Sequence, residues 1–200
     1  MALAISDMEV CERITPAYLS ANQQILQNAQ VIVADANIPA ETLVYLAENC
    51  SAPIFCDPVS TIKAEKLRPI LNKIHTLKPN RMEAELLSGV KIRTKADAEV
   101  AAKALLEKGV KRVFLSMGAD GMYAATEDEQ LWLPNIPGNM VNTTGCGDSA
   151  MAALVWAWMN GLELEETVRA GLAAGSITME SPETINTAMS ATALKLRMSK

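Results

Sequence analysis

Asn142-Thr143-Thr144-Gly145-Cys146-Gly147-Asp148 stands just before the apolar run 150–159 of this sequence. The two glycines allow a turn with positive φ that gathers backbone N–H groups, and the apolar run predicts a buried helix whose positive end adds to their field. Such a loop suits a phosphate, and the Asp148 carboxylate could take a proton from a hydroxyl that attacks it. The alternative is a glycine-rich turn in which Asp148 caps the helix, and the spacing alone does not separate the two.

Short apolar strands alternate with helices over most of the chain. Central strands are predicted over 31–34, 53–56, 74–77 and 110–115, and a hairpin over 122–125 and 130–133. This alternation is typical of a parallel sheet covered on both faces, so we expect an α/β fold with a three-layer, doubly wound and mainly parallel sheet. No repeat or linker divides the sequence, and residues 1–200 are predicted to form a single domain.

Local signals set the ends of several elements. Residues 1–10 are predicted to form one strand, and Thr15-Pro16 to open the first helix as N-cap and first helical residue. A helix is predicted around 64–71, and another over 94–108 that ends at Gly109. Three C-terminal helices are predicted over 148–160, 164–179 and 188–197.

The composition excludes several classes of protein. Half of the 200 residues are apolar, the formal charge is −5, and no basic run is present, so a globular protein that does not bind nucleic acid is expected. The run 150–159 is too short to cross a bilayer, and residues 1–5 lack the features of a signal peptide, so no membrane association is expected. The four cysteines show no C-x-x-C spacing and His75 is the single histidine, which argues against zinc and favours reduced thiols in a cytoplasmic protein.

Two further motifs precede the glycine turn. Lys78-Pro79-Asn80-Arg81-Met82-Glu83-Ala84-Glu85 contains an Asn-x-x-Glu pair, and Leu115-Ser116-Met117-Gly118-Ala119-Asp120-Gly121 contains a Gly-x-x-Gly loop. Together with 142–148, these motifs resemble those of the PfkB carbohydrate kinases of the ribokinase-like superfamily, whose second signature usually reads Asp-Thr-Thr-Gly-Ala-Gly-Asp. The resemblance implies a ribokinase-like fold and an ATP-dependent kinase that uses Mg²⁺ and acts on a small sugar or nucleoside.

The resemblance assigns the catalytic roles to the glycine turn. It makes Asp148 the general base that activates the acceptor hydroxyl. It also makes Gly145, Cys146 and Gly147 donors of backbone N–H groups to the transferring phosphoryl group. Cys146 stands where the family usually has alanine and would act through its backbone, so no thiol chemistry is expected of it.

The resemblance assigns Mg²⁺ to the Asn-x-x-Glu pair. Glu83 would hold the metal through water, and Asn80 would lie near the metal and the phosphates. Residues at i and i+3 share one helix face, which permits these roles. The alternative is an ordinary N-cap followed by an acid in the first turn. Glu85 is expected to be solvated.

The same resemblance implies a nucleotide site on small and polar residues, which are Ser116, Gly118, Gly121, Thr144, Gly171 and Ala174. The alternatives are a plain strand-to-hairpin turn at Gly118 and Gly121, and close helix packing at Gly171 and Ala174. Asp57 and Lys63 are weaker candidates near the phosphates, and a surface lysine is the alternative for Lys63. Asn142 replaces an acidic residue that the family often has near a monovalent-cation site, which weakens the expectation of K⁺ there.

The resemblance covers only the later part of the family pattern. It implies an N-terminally truncated member that lacks the first strands, the Gly-Gly sugar motif and most of the lid, with residues 1–10 as the remnant of a lid strand. An exposed sheet edge would favour homo-oligomers. Within the family, Asp57-Pro58-Val59-Ser60, the motif at 78–85, Asn142 and Glu183-Thr184-Ile185-Asn186 resemble the kinases of the nucleoside pseudouridine. The alternatives are a kinase of ribose, a ketose or another nucleoside, or a catalytically silent nucleotide-binding fragment.

Overall fold

The computed structural model describes residues 7–200, whose strands form one sheet. The strands are β1 (Ile32–Asp35), β2 (Ile54–Asp57), β3 (Ile74–Leu77), β4 (Arg112–Ser116), β5 (Met122–Ala125) and β6 (Gln130–Leu133). They lie side by side in sequence order; β1 to β4 run parallel, and β5 and β6 continue the sheet as an antiparallel hairpin. The predicted strands and hairpin are thus confirmed.

Ten α-helices lie in this part of the chain. They are α1 (Glu9–Glu12), α2 (Pro16–Ala21), α3 (Gln23–Gln27), α4 (Ala40–Asn49), α5 (Thr61–Ala64), α6 (Arg81–Ser88), α7 (Lys95–Glu107), α8 (Cys146–Met159), α9 (Leu164–Thr178) and α10 (Ala191–Met198). As predicted, Pro16 opens α2 while Thr15 Oγ1 accepts the Tyr18 N–H, and Gly109 follows α7 with a φ of 97°.

Side chains of the sheet enter two separate cores, one on each face. In β2, Ile54 and Cys56 pack into a core with α4, α6 and α7, whereas Phe55 packs into a core with α8, α9 and α10. Crossovers of one hand between strands in sequence order put their helices on one face, so the C-terminal helices cover the other. The predicted three-layer α/β fold is confirmed.

The helix predicted around 64–71 has a different form. The chain forms the short helix α5 and then a 3₁₀ helix, Glu65–Lys73, with Pro69 inside it. Proline lacks an N–H and its ring clashes with the preceding α-helical turn, so the continuous α-helix of the prediction is not formed.

The strand predicted for residues 1–10 is wrong for Glu9 and Val10, which begin α1. Asp7 Oδ1 accepts the Glu9 N–H at 3.0 Å, and this local bond competes with extended pairing. Residues 1–6, which carry the rest of the predicted lid strand, lie outside the described residues.

The cysteines and helices add two facts. Cys11, Cys50, Cys56 and Cys146 are free thiols. In the part of the chain from residue 7 onwards, no helix combines the length and the apolar character that a bilayer crossing requires.

Candidate active site

One cavity lies at the carboxyl ends of the parallel strands, the edge at which ligands collect in open parallel sheets. Its volume is about 490 Å³, which lies in the range of small-molecule sites. It is lined by Asp35, Asn37, Asp57, Val59, Lys78, Asn80, Glu83, Ser116, Gly147 and Asp148. The structure therefore brings parts of all three sequence motifs to one place.

Gly145 bends the chain into α8. Its φ is 85°, and a Cβ there would lie 2.5 Å from the Thr184 carbonyl oxygen, so both the conformation and the close approach require glycine. The Cys146 N–H donates to the Thr143 carbonyl at 3.2 Å. The expectation that Gly145, Cys146 and Gly147 all donate to a phosphoryl group is corrected here. The Cys146 N–H is used within the turn, and Gly145 does not line the cavity.

Gly147 and Asp148 do line the cavity, as the second and third residues of α8. Within residues 7–200 their N–H groups have no acceptor. The first N–H groups of a helix lack intrahelical partners, and with the helix dipole they form a site for an anion. The anion site stays a prediction, and in this structure the N–H groups available for it are those of Gly147 and Asp148.

The Asp148 side chain is exposed and makes no hydrogen bond to any described residue. The alternative in which Asp148 caps α8 is therefore not realised, since α8 has no side-chain cap. Its carboxylate remains available to a proton donor in the cavity.

The surroundings of the Cys146 thiol argue against a role for it as a nucleophile. Its Sγ lies 3.5 Å from the Gly175 carbonyl oxygen, and burial raises the pKa of this thiol above its usual value. A thiol held in its protonated form is a poor nucleophile, in line with the expectation of no thiol chemistry at Cys146.

Asn80 and Glu83 form a reciprocal capping box at the start of α6. Asn80 Oδ1 accepts the Glu83 N–H at 3.0 Å, and Glu83 Oε2 accepts the Asn80 N–H at 2.9 Å. Both residues also line the cavity, where burial raises the pKa of the Glu83 carboxyl, which is 3% exposed. The capping alternative is therefore confirmed, and because the pair also lines the cavity, its metal-binding role stays a prediction.

These oxygens fit one kind of metal. No cluster of three or more His, Cys, Asp or Glu side chains that could hold a metal occurs among residues 7–200. Mg²⁺ keeps several waters and uses one or two carboxylates together with phosphate oxygens. The Glu83 carboxylate therefore fits a Mg²⁺ shared with phosphates, whereas the Asp57 carboxylate is already paired with Lys78.

Lys78 was missed by the sequence reasoning. Its Nζ lies 2.8 Å from Asp57 Oδ2, and Asp57 Oδ1 also accepts the Val59 N–H at 2.9 Å. A lysine directly after the apolar strand β3 was a usable signal, since the carboxyl ends of these strands form the cavity. Asp57, a weaker candidate, lines the cavity, whereas Lys63 does not and donates instead to Asn37 Oδ1.

Two other features of the cavity wall were also missed. Val59 has a φ of 66°, which is rare for a β-branched residue, and the Ser60 N–H closes a tight turn on the Pro58 carbonyl at 2.7 Å. Asn37 is fixed by its N–H, which donates to Asp35 Oδ1 at 2.9 Å. Neither feature has a sequence signature, because both depend on where β1 and β2 end.

Only one residue of the predicted nucleotide loop, Ser116, lies at the cavity. Ser116 lines the cavity, and its N–H donates to the Pro79 carbonyl at 2.9 Å, which joins β4 to the start of α6. Gly118 and Gly121 do not line it. Gly121 has a φ of 96°, and a Cβ there would lie 2.1 Å from the Leu133 carbonyl oxygen, so the alternative of a strand-to-hairpin turn accounts for it.

Gly171 and Ala174 are buried, and Ala174 is only 1% exposed. A Cβ on Gly171 would lie 3.3 Å from Leu154 Cδ2 and 3.5 Å from Met122 Cε. The prediction that these two residues offer a surface to adenine is corrected, because close packing of α9 on α8 and β5 leaves no access to them.

Thr144 and Asn142 lie outside the cavity lining. The Thr144 N–H donates to Asn142 Oδ1 at 3.0 Å, and Asn142 Nδ2 donates to the Pro182 carbonyl at 3.0 Å. Both ends of the Asn142 amide are therefore used to join two loops. Its contacts fit a structural bridge, and the K⁺ site near Asn142 stays a prediction.

Comparisons with known proteins agree with the motifs. The model of the pfkB family carbohydrate kinases matches residues 7–191. Pseudouridine kinase of Escherichia coli is 41% identical over 188 residues, and 1-phosphofructokinase of Bacillus subtilis is 32% identical over 170 residues. The crystal structure of a candidate sugar kinase from Clostridium perfringens superposes with a TM-score of 0.91 and 30% identity.

These proteins are longer than the chain. The matches cover 93% of the chain but 60% of the pseudouridine kinase, and 80% of the chain but 54% of the 1-phosphofructokinase. The superposition covers all of the chain and 63% of the Clostridium protein. The chain therefore spans less than two thirds of the length of each.

Proposed function

This chain belongs to the pfkB family of carbohydrate kinases, and we propose that it transfers the γ-phosphoryl group of ATP to a ribose hydroxyl of pseudouridine. One observation carries the phosphoryl-transfer part. The Asp148 carboxylate, without a hydrogen-bond partner among the described residues, lies at the wall of a cavity beside the unpaired N–H groups of Gly147 and Asp148. A base next to an anion site is what attack by a hydroxyl on a phosphoryl group requires.

In the proposed reaction the acceptor oxygen attacks the γ-phosphorus. The new O–P bond forms as the bond from that phosphorus to the bridging oxygen of ADP breaks, and the hydroxyl proton passes to Asp148. The N–H groups at the start of α8 stabilise the negative charge on the phosphoryl oxygens. The protein thus supplies position, charge and one proton acceptor.

We include Mg²⁺ in the proposal, held by Glu83 through water with Asn80 close by. When bound, the metal would neutralise charge on the phosphate oxygens. The buried Glu83 carboxylate at the cavity supports this role. We do not include K⁺, because the neutral Asn142 amide brings no charge to such a site and bridges two loops.

Pseudouridine is proposed as the acceptor because a relative 41% identical is a pseudouridine kinase. Other sugars or nucleosides remain the runner-up, since a 1-phosphofructokinase is also 32% identical. A second candidate function is nucleotide binding without turnover, which the unpaired N–H groups of Gly147 and Asp148 would support by themselves.

The test is ADP formation by the purified chain with ATP, Mg²⁺ and one acceptor at a time: pseudouridine, uridine, ribose or fructose 1-phosphate. Turnover with pseudouridine above the other three acceptors supports the full proposal. Turnover with another acceptor overturns the substrate and keeps the kinase. ATP binding without turnover on any acceptor supports the second candidate, and absence of ATP binding contradicts both.

A further inference from the structure

Lys78 carries a buried charge into the cavity wall. It directly follows β3, and its Nζ forms the most buried ion pair among the described residues. The Lys78 and Asp57 side chains are 6% and 18% exposed, whereas those of Lys91 and Glu85 are 80% and 20% exposed. Two charges withdrawn from water gain little net stability from one another. Stability alone therefore gives no reason for a lysine at this position.

The ammonium group borders an open space over Gly147. A Cβ built on Gly147 would lie 3.5 Å from Lys78 Nζ, and apart from the adjoining residues of the chain no other described residue comes within 4 Å of that point. An ammonium group has three N–H donors, and Asp57 is the acceptor recorded for it among residues 7–200. The open space is thus bounded by unused donors of Lys78 on one side and by the start of α8 on the other.

The charges around the cavity also favour a role for Lys78 in binding an anion. Four acidic side chains line it, and Lys78 is the single basic residue in its described lining; the acids are Asp35, Asp57, Glu83 and Asp148. A triphosphate entering this space would be repelled by the carboxylates unless a cation compensated them. An ammonium group is a compact charge that donates to phosphate oxygens without a fixed plane.

Resting on the proposed function, we propose that Lys78 is a further phosphate-binding residue, which donates to the γ-phosphoryl group between its ammonium and the first turn of α8. Asp57 holds the ammonium in place while the space is empty. The absence of a side chain at Gly147 leaves room for the phosphoryl oxygens.

The test compares the binding of a triphosphate ligand with that of a ligand that carries no phosphate group. Affinities of the full chain for the non-hydrolysable ATP analogue AMP-PNP and for adenosine are measured by calorimetry with Mg²⁺ present. Lys78→Met is expected to weaken AMP-PNP binding at least about tenfold, the scale of one charge-assisted contact, and to leave adenosine binding within about twofold. Lys91→Met, on the exposed ion pair, is the matched control and should change neither affinity.

A second variant guards against misfolding. Lys78→Met leaves the Asp57 charge without its partner, so the neutral pair Lys78→Met/Asp57→Asn is measured beside it. Loss of AMP-PNP affinity in the folded double variant with adenosine affinity kept supports the proposal. Unchanged AMP-PNP affinity, or equal loss for both ligands, overturns it. Wild-type binding of AMP-PNP together with no turnover of ATP would overturn the kinase function alone, and absence of wild-type AMP-PNP binding would overturn both.

Discussion

Replacing Gly147 by alanine separates the stability of α8 from the use of its first turn. Gly147 is the second residue of this helix, and the added methyl group would meet only Lys78 Nζ, at 3.5 Å, an ordinary contact distance. The backbone needs no change, in contrast to Gly145, where φ is 85° and a Cβ would lie 2.5 Å from a carbonyl oxygen.

The expected effect on stability is positive. Alanine is favoured over glycine within a helix by about 0.8–1.0 kcal/mol, and a position in the first turn should give about half of that or more. Gly147→Ala should therefore raise the free energy of unfolding by about 0.5 kcal/mol. Gly145→Ala should lower it by more than about 1–2 kcal/mol, the cost of a left-handed conformation alone.

The expected effect on activity has the opposite sign. The methyl group would occupy the space between the Lys78 ammonium and the α8 N–H groups, where the phosphoryl group is proposed to bind. Displacement of that group should lower kcat/KM at least about tenfold, equivalent to about 1.4 kcal/mol of transition-state stabilisation.

Urea unfolding and steady-state kinetics on the same preparations test both effects. Val100→Ala is the matched control, because Val100 is 56% exposed on α7 and does not line the cavity. It should gain about 0.5 kcal/mol from helix propensity and keep full activity. A Gly147→Ala variant that is stabilised and fully active would refute the proposed phosphoryl site.

Four further variants test other parts of the structure. Gly121→Ala should unfold at markedly lower urea concentration than wild type, because its Cβ would lie 2.1 Å from the Leu133 carbonyl oxygen. Gly118→Ala has open space around its Cβ and should lose only about 1–2 kcal/mol of stability, from its positive φ. Equal losses of stability in the two variants would contradict the turn geometry. Burial lowers the pKa of His75 below its usual 6.5, so its contribution to stability should be complete above pH 6.5 and decline as the pH falls below it. Unfolding curves at pH 7.5 and 5.5 should show a smaller loss for His75→Phe than for wild type, and an equal loss would exclude this role. Glu83→Gln keeps an acceptor for the capping box and removes the negative charge. The Mg²⁺ concentration for half-maximal activity should therefore rise about tenfold or more, while the nucleotide affinity measured without metal stays unchanged. An unchanged Mg²⁺ requirement would exclude Glu83 as a metal ligand.

The sequence predicted the strands because each is a short apolar run that ends in a polar or turn residue, and burial on both faces demands that pattern. The start of α2 and the end of α7 could also be predicted from the sequence, since Thr15, Pro16 and Gly109 act through local backbone geometry. The 3₁₀ helix at Glu65–Lys73 was not, although Pro69 was visible in the sequence as an obstacle to an α-helix.

The candidate site was harder to predict from the sequence, because its contacts join segments that are far apart along the chain. Glycine at 171 is compatible with both a ligand surface and close packing, and only the position of Leu154 separates them. The Cys146 N–H has an acceptor only once the turn at Thr143 has formed. A role for Lys78 can be inferred only from its ion pair with Asp57, which lies on a neighbouring strand.

The most direct test of the central claim is the turnover of Asp148→Asn. The exposed amide should leave stability and AMP-PNP affinity close to those of wild type, because the carboxylate makes no hydrogen bond to the described residues. An amide cannot accept the hydroxyl proton, so kcat with ATP, Mg²⁺ and the acceptor that supports wild-type turnover should fall by about 10²-fold or more. Wild-type turnover in a folded Asp148→Asn chain would contradict the assignment of Asp148 as the base and, with it, this account of the cavity.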